Sequence, residues 1–157
     1  MAARIARAVL LAALAVVAPG CVTLAMLRPL PRACPGPLPA TAELGEDFTL
    51  QARYRVQSRG RDLALTLAVE KRAERLVLLG IDPLGTSVFA LVQEGTKVRR
   101  ERHLRPLFPF APENVLRDVI LARFTPLTEG PEATLARDGD VTTITRPACD
   151  WTATLSN

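Results

Sequence analysis

The sequence predicts a mainly β domain of the α+β class: a curved antiparallel sheet, left open as a half-barrel, with a helix on its concave side. Three observations carry this. From Phe48 onward apolar and polar residues alternate with a period of two, the mark of half-buried strands. The links between those runs are short and hold turn residues, so successive strands pair antiparallel. Residues 112–124 are the one stretch with a convincing helical stripe.

In the first strand Phe48, Leu50, Ala52, Tyr54 and Val56 alternate with Thr49, Gln51, Arg53 and Arg55. Ser58-Arg59-Gly60-Arg61 reads as a turn. Leu63, Leu65, Leu67 and Val69 then alternate with Ala64, Thr66 and Ala68. Residues 71–75 read as a charged connection, and residues 76–81 as a solid apolar strand. Asp82-Pro83-Leu84-Gly85 suits a type I turn, with Asp first, Pro second and Gly fourth. The chain returns through residues 87–93, turns at Glu94-Gly95-Thr96 and continues as residues 97–102, completing a meander. Pro112 suits the first position of a helix, with Glu113 beside the positive end of its dipole. Leu116, Val119, Ile120 and Phe124 form its stripe, with Val115 alongside, and Pro126 stops it. Residues 133–137 and 141–145 flank Asp138-Gly139-Asp140, a hairpin signal. Trp151, Ala153 and Leu155 form a last short strand.

Ahead of this domain the chain opens with Arg4 and Arg7, an apolar run over residues 8–18, and then Pro19-Gly20-Cys21. That is the layout of an export signal: basic start, apolar middle, small residues at the cut. The run is well short of the roughly 20 residues of a spanning helix. Three outcomes are open. Cys21 can become the acylated first residue of a lipoprotein, the chain can be cut after Gly20 to a soluble product, or an uncleaved anchor can extend to Leu27. Small residues leading into a cysteine resemble a lipobox, and this reading assigns residues 1–20 to a lipoprotein signal peptide. Residues 21–46 are then the lipidated cysteine and a tether stiffened by prolines at 29, 31, 35, 37 and 39, and residues 47–157 the sheet domain. Val22 follows Cys21 where inner-membrane retention would place an aspartate. By resemblance to enteric-type sorting, this predicts an outer-membrane protein facing the periplasm. The acylated cysteine makes the membrane itself a partner.

Removing residues 1–20 leaves 137 of 157 residues and lowers the net charge from +4 to +2. That charge does not suit a dedicated nucleic-acid binder. One basic run stands out, with Lys97, Arg99, Arg100, Arg102 and Arg105. It is either a solvated face or a contact for anionic headgroups or an acidic partner. With Cys21 acylated, Cys34 and Cys149 remain, and an even pair in an oxidising compartment makes them a candidate disulfide.

Residues 76–81 and 87–93 are apolar on both sides, whereas a sheet with one wet face alternates apolar with polar. A single helix covers one face. The sheet must curl and fill its own interior, dimerise, or keep an apolar cavity for a ligand with a hydrocarbon part. Candidate cavity positions are Leu63, Leu65, Leu67, Val69, Leu76, Leu78, Val88, Ala90 and Val92.

The stretch "LVLLGIDPLGTSVFALVQEG", residues 76–95, resembles the strand–turn–strand of the LolB-type outer-membrane lipoproteins. The stretch "APENVLRDVILARFTPL", residues 111–127, resembles the helix and proline that follow in that group. The chain is most similar to a family of uncharacterised bacterial envelope lipoproteins with LolB-like features. The resemblance implies an unclosed antiparallel barrel plugged by helices. It also implies binding of an acyl chain, lipid or lipidated protein in the concavity, without covalent chemistry. The other function class is a structural or adaptor lipoprotein with a filled core that meets another envelope protein through its surface.

Nothing in the sequence points to an enzyme. It has no phosphate-binding loop, no dinucleotide glycine pattern and no Gly-x-Ser-x-Gly elbow. The single histidine, His103, lies in the basic run and reads as solvated, and no short-spaced His/Cys set suggests a metal. Ser58, Ser87 and Ser156 sit in or beside turns or ends, and Asp138 and Asp140 flank a turn glycine. No cofactor is expected.

Overall fold

The computed structural model describes residues 32–36, 38–124 and 132–156. The export segment, Cys21 and Pro126 lie outside the described residues.

The period-two runs form eight strands: β1 (Phe48–Ser58), β2 (Arg61–Arg72), β3 (Arg75–Ile81), β4 (Ser87–Glu94), β5 (Lys97–His103), β6 (Thr134–Asp138), β7 (Val141–Arg146) and β8 (Trp151–Ser156). They pair antiparallel throughout in one open sheet of order β5-β4-β3-β2-β1-β8-β7-β6. One α-helix, α1 (Pro112–Phe124), lies across one face, reaching β4 on one side and β7 and β8 on the other. The described residues are thus of the α+β class, an open antiparallel sheet with one α-helix.

Local chemistry explains the joints. Asp82 sets the β3–β4 turn. Its carboxylate accepts the N–H groups of Leu84 and Thr86, and its carbonyl accepts that of Gly85. Gly139 takes a left-handed φ of 56° in the β6–β7 hairpin. Residues 71–75 differ from the expected connection. β2 runs on through Arg72 and pairs it with Arg75. Lys71 faces the helix side, 3% exposed, its Nζ 3.7 Å from Asp47. A long aliphatic stem lets a lysine occupy a core-facing position and still reach a carboxylate at the rim.

Alternation then sorts the residues. Tyr54 and Val56 of β1, Leu65, Leu67 and Val69 of β2, and Leu76 and Leu78 of β3 point under α1 and are 0–6% exposed. They meet Val115, Leu116 and Val119 of the helix in a common core. Phe124, expected in the helix stripe, is 37% exposed and packs at its rim against Phe48, with ring centroids 5.0 Å apart.

Within residues 32–36 and 38–46, expected as part of an extended spacer, Cys34, Thr41 and Leu44 are buried against the domain. A disulfide joins Cys34 to Cys149, with Cα atoms 5.9 Å apart. The Cys34 N–H donates to Asn114 Oδ1 at 2.7 Å. Buried Gln93 donates to the carbonyl of Pro39 at 2.7 Å, and the Thr41 N–H to that of Gly95 at 3.1 Å. The segment's own N–H groups at Cys34 and Thr41 find acceptors on the helix and at the β4–β5 turn, and the carbonyl of Pro39 finds a donor in Gln93.

Candidate functional site

The nine apolar candidates divide between the two faces. Leu63, Leu65, Leu67, Val69, Leu76 and Leu78 are on the helix side. Ala90 and Val92 are on the other, because β4 turns Phe89, Leu91 and Gln93 inward, whereas Val88, left unpaired with β3 at a bulge between Phe89 and Ser87, is 0% exposed and joins the common core. The nine therefore do not line one cavity. The helix-side set is packed rather than hollow, and Leu63 at its edge is the one left half-buried.

Aromatic rings close the space between β4 and β8. Phe89 on β4 meets Phe108 at 4.8 Å, Phe108 meets Phe110 at 5.5 Å, and Phe110 meets Trp151 on β8 edge-on at 5.4 Å. Edge-to-face and tilted packing at these spacings is attractive beyond the area buried. Phe108 and Phe110 come from the loop after β5, so that loop plugs the end of the sheet left open by α1.

The same interior holds a polar cluster absent from the sequence-based list. Asp118 on α1 is 0% exposed. Its Oδ2 accepts the Tyr54 hydroxyl at 2.7 Å and the Trp151 indole N–H at 2.8 Å, and its Oδ1 accepts Arg146 Nε at 3.0 Å. Burial pushes the Asp118 carboxyl up, while Arg146, Trp151 and Tyr54 pull against it. Burial, and then the neighbouring Asp118, push the Tyr54 hydroxyl well above its ordinary value. The cluster ties α1 to β1, β7 and β8. With its acceptors occupied and its side chains buried, it holds the helix on the sheet. A signal was present in the sequence: Asn114 and Asp118 stand four residues apart, on the side of α1 shared by Val115 and Val119.

The basic run is likewise divided. Lys97, Arg99 and Arg102 are exposed, whereas Arg100 turns to the helix side and forms a double hydrogen bond with Glu113. Arg105 lies beyond β5, half-buried. His103, expected to be solvated, is half-buried, its Nε2 2.7 Å from the carbonyl of Phe108. Burial lowers its pKa, and Arg100 and Arg105 nearby act in the same direction.

Among the described residues two shallow surface hollows stand out. One, of about 270 Å³, lies on the outer face between Arg53, Ala64, Thr66, Pro83, Thr154 and Ser156. The other, of about 240 Å³, lies beside the end of α1, at Arg123, Arg137 and Asp140. Both open to solvent and are smaller than the usual pocket of a drug-sized ligand. Among the described residues no three of His, Cys, Asp and Glu converge as a metal site requires, and no helix is long and apolar enough to cross a membrane.

A family model described as "Protein of unknown function (DUF3261)" matches residues 49–143, from β1 into β7. The match covers more than half of the chain, and the chain belongs to that family. No curated protein matches it.

Proposed function

We propose that this member of the DUF3261 family is a non-catalytic lipoprotein of the bacterial outer membrane, held there by an acylated Cys21, that acts by binding through its surface. The observation that carries this reading is the closed interior. Leu67, Leu76 and Leu78 are 0% exposed beneath α1, and the ring series from Phe89 to Trp151 fills the remaining end. Among the described residues the helix side of the sheet is packed with side chains, which supports a role carried by the outer surfaces. The resemblance of residues 76–95 and 111–127 to LolB-type proteins supports a related architecture with its concavity shut. The small residues before Cys21 and the oxidised Cys34–Cys149 pair support an exported, anchored protein.

One observation favours a second reading, an acceptor of acyl chains or lipidated partners. Among the described residues α1 covers the aliphatic side chains of β2 and β3, so lifting it would bare a continuous apolar face. The buried Asp118 contacts oppose that movement.

Native mass spectrometry of the full chain, extracted from bacterial envelopes, separates the readings. The expected species carries acyl mass on Cys21 and nothing else, and does not take up added fatty acid or lipopeptide. A stoichiometric second acyl ligand would overturn the surface reading in favour of the acceptor. An unmodified Cys21 would overturn the anchor.

A further inference from the structure

The face of β2–β4 turned away from α1 is a second apolar surface, and the helix does not touch it. Register places Ala68, Leu79 and Ala90 in one row across the three strands, with Glu70, Val77 and the buried Val92 in the next. Val77, Leu79, Ile81 and Ala90 are each partly exposed. Both rows end in cations on the β5 side, and on the β1 side a cation stands at the end of the adjoining row. On the β1 side Arg53 stands opposite Thr66, which itself stands opposite Ile81. On the β5 side Arg102 stands opposite Ala90 and Arg99 opposite Val92.

The acids of this face are already neutralised. Asp62 pairs with Arg55, Glu70 with Arg72, Glu94 with Arg75 and Glu101 with Arg99. Among the described residues Arg53, Lys97 and Arg102 are exposed cations of this face outside any ion pair. An aliphatic centre with unpaired cations on both flanks complements an anionic interface. A second copy of the same face would set like charge against like.

We propose that the outer face of β2–β4 docks on an anionic lipid bilayer, its aliphatic rows against the interface and Arg53, Lys97 and Arg102 on the headgroup phosphates. This rests on the anchored reading above, through the tether. The disulfide fixes the chain to the domain at Cys34. The 13 steps from Cys21 to Cys34 reach at most about 45 Å when fully extended. Sheet and helix layers are stacked only about 10 Å apart, so either side of the domain can turn to the bilayer. Tethering at this range makes the bilayer the partner at highest local concentration, and a weak contact suffices.

The test uses the full acylated chain in vesicles, either of phosphatidylcholine alone or rich in phosphatidylglycerol. A polarity-sensitive fluorophore is placed on Ala68→Cys, with a control on Ala136→Cys of β6, and quenchers are carried on the lipid tails. The expected result is quenching at position 68 but not 136, in anionic vesicles only, and lost at high salt. Replacing Arg53, Lys97 or Arg102 by glutamine shifts the docked-to-free ratio by about fivefold each. Trp151 fluorescence reports whether each variant is folded. Flotation of the chain with both vesicle types and no quenching at 68 would overturn the docking face and leave the anchor standing, with an acidic protein as the next occupant to test. Failure to float on either vesicle would overturn both.

Discussion

Asp118 on α1 and Arg146 at the end of β7 meet 3.0 Å apart inside the protein, their side chains 0% and 4% exposed. Two charges taken out of water are tolerated only when their remaining hydrogen-bonding capacity is used. Here Tyr54 and Trp151 use that of the carboxylate. The pair thus fixes where the helix sits on the sheet.

Removing one partner strands the other. Asp118→Ala leaves a buried guanidinium and two buried donors without an acceptor, and is expected to lower stability by about 3–5 kcal/mol. Asp118→Leu combined with Arg146→Met removes both charges and should be less destabilised than either single change. Urea unfolding of the unchanged protein, Asp118→Ala, the Asp118→Leu and Arg146→Met singles and their double checks this. A double variant as weak as the worse single one would show that the charges themselves do not carry the effect.

The sheet was legible in the sequence because its physical cause is local. Alternation over Phe48 to Val56, the Asp82 turn and the Pro112 helix start all match the structure to within a few residues. The Asp118 cluster was not legible in the same way. Tyr54, Asp118, Arg146 and Trp151 come from four elements, and each taken alone resembles an ordinary surface or core residue. The faces of β4 were likewise ambiguous, because Val88 to Val92 is apolar at every position. Register against β3, and not the period of β4, decides which residues point inward. Contacts of residues 34, 39 and 41 were not legible because proline content signals extension only, and the partners lie on distant elements.

Gly80 on β3 stands directly opposite Phe89 on β4. A Cβ at Gly80 would collide with the Phe89 ring, which is itself held against Phe108. Gly80→Ala is expected to cost about 1–3 kcal/mol through overpacking. Adding Phe89→Leu should recover part of that loss, and thermal melts of the single and double variants measure it. Simple additivity would show that the ring is not the obstacle.

His103 is the only histidine, so the pH range near its ordinary pKa can be read cleanly. Its Nε2 donates to the Phe108 carbonyl, which leaves Nδ1 to take the second proton where it is buried without a partner. Burial accordingly lowers its pKa in the folded state. The unfolded chain binds a proton below about pH 6.5 that the folded chain resists. Stability is therefore full above that value and falls as pH drops toward the folded pKa. The slope is a fraction of the about 1.4 kcal/mol per pH unit due to one whole proton. The raised Asp118 carboxyl acts in the opposite sense, losing stability as pH rises through its folded pKa. A His103→Gln difference curve isolates the histidine. Parallel stability curves for the two proteins would refute the assignment.

The Cys34–Cys149 bridge spans 115 residues of sequence. On the chain-entropy model a loop of this size contributes about 4–5 kcal/mol by restricting the unfolded chain. Cys34→Ser with Cys149→Ser should lower the urea midpoint accordingly, while hydrogen exchange at β1–β4 under native conditions stays slow. Rapid exchange across β1–β4 would mean that the bridge organises the sheet and does more than tether its border.

Tyr54 and Trp151 are the only tyrosine and the only tryptophan, and both donate to Asp118. The cluster therefore has two private optical reporters. With the Tyr54 hydroxyl held well above its usual value of 10.0, the folded chain keeps a proton that the unfolded chain releases. Stability contributed by this group is complete below the unfolded pKa and is lost as pH climbs toward the folded one. Tyrosinate absorbance should stay flat past pH 10 and then rise in one step, together with the shift of Trp151 fluorescence, as the sheet and helix part. A gradual rise near pH 10 with unchanged fluorescence would show water reaching Tyr54 in the folded protein. The closed interior on which the surface-binding reading depends would then be wrong.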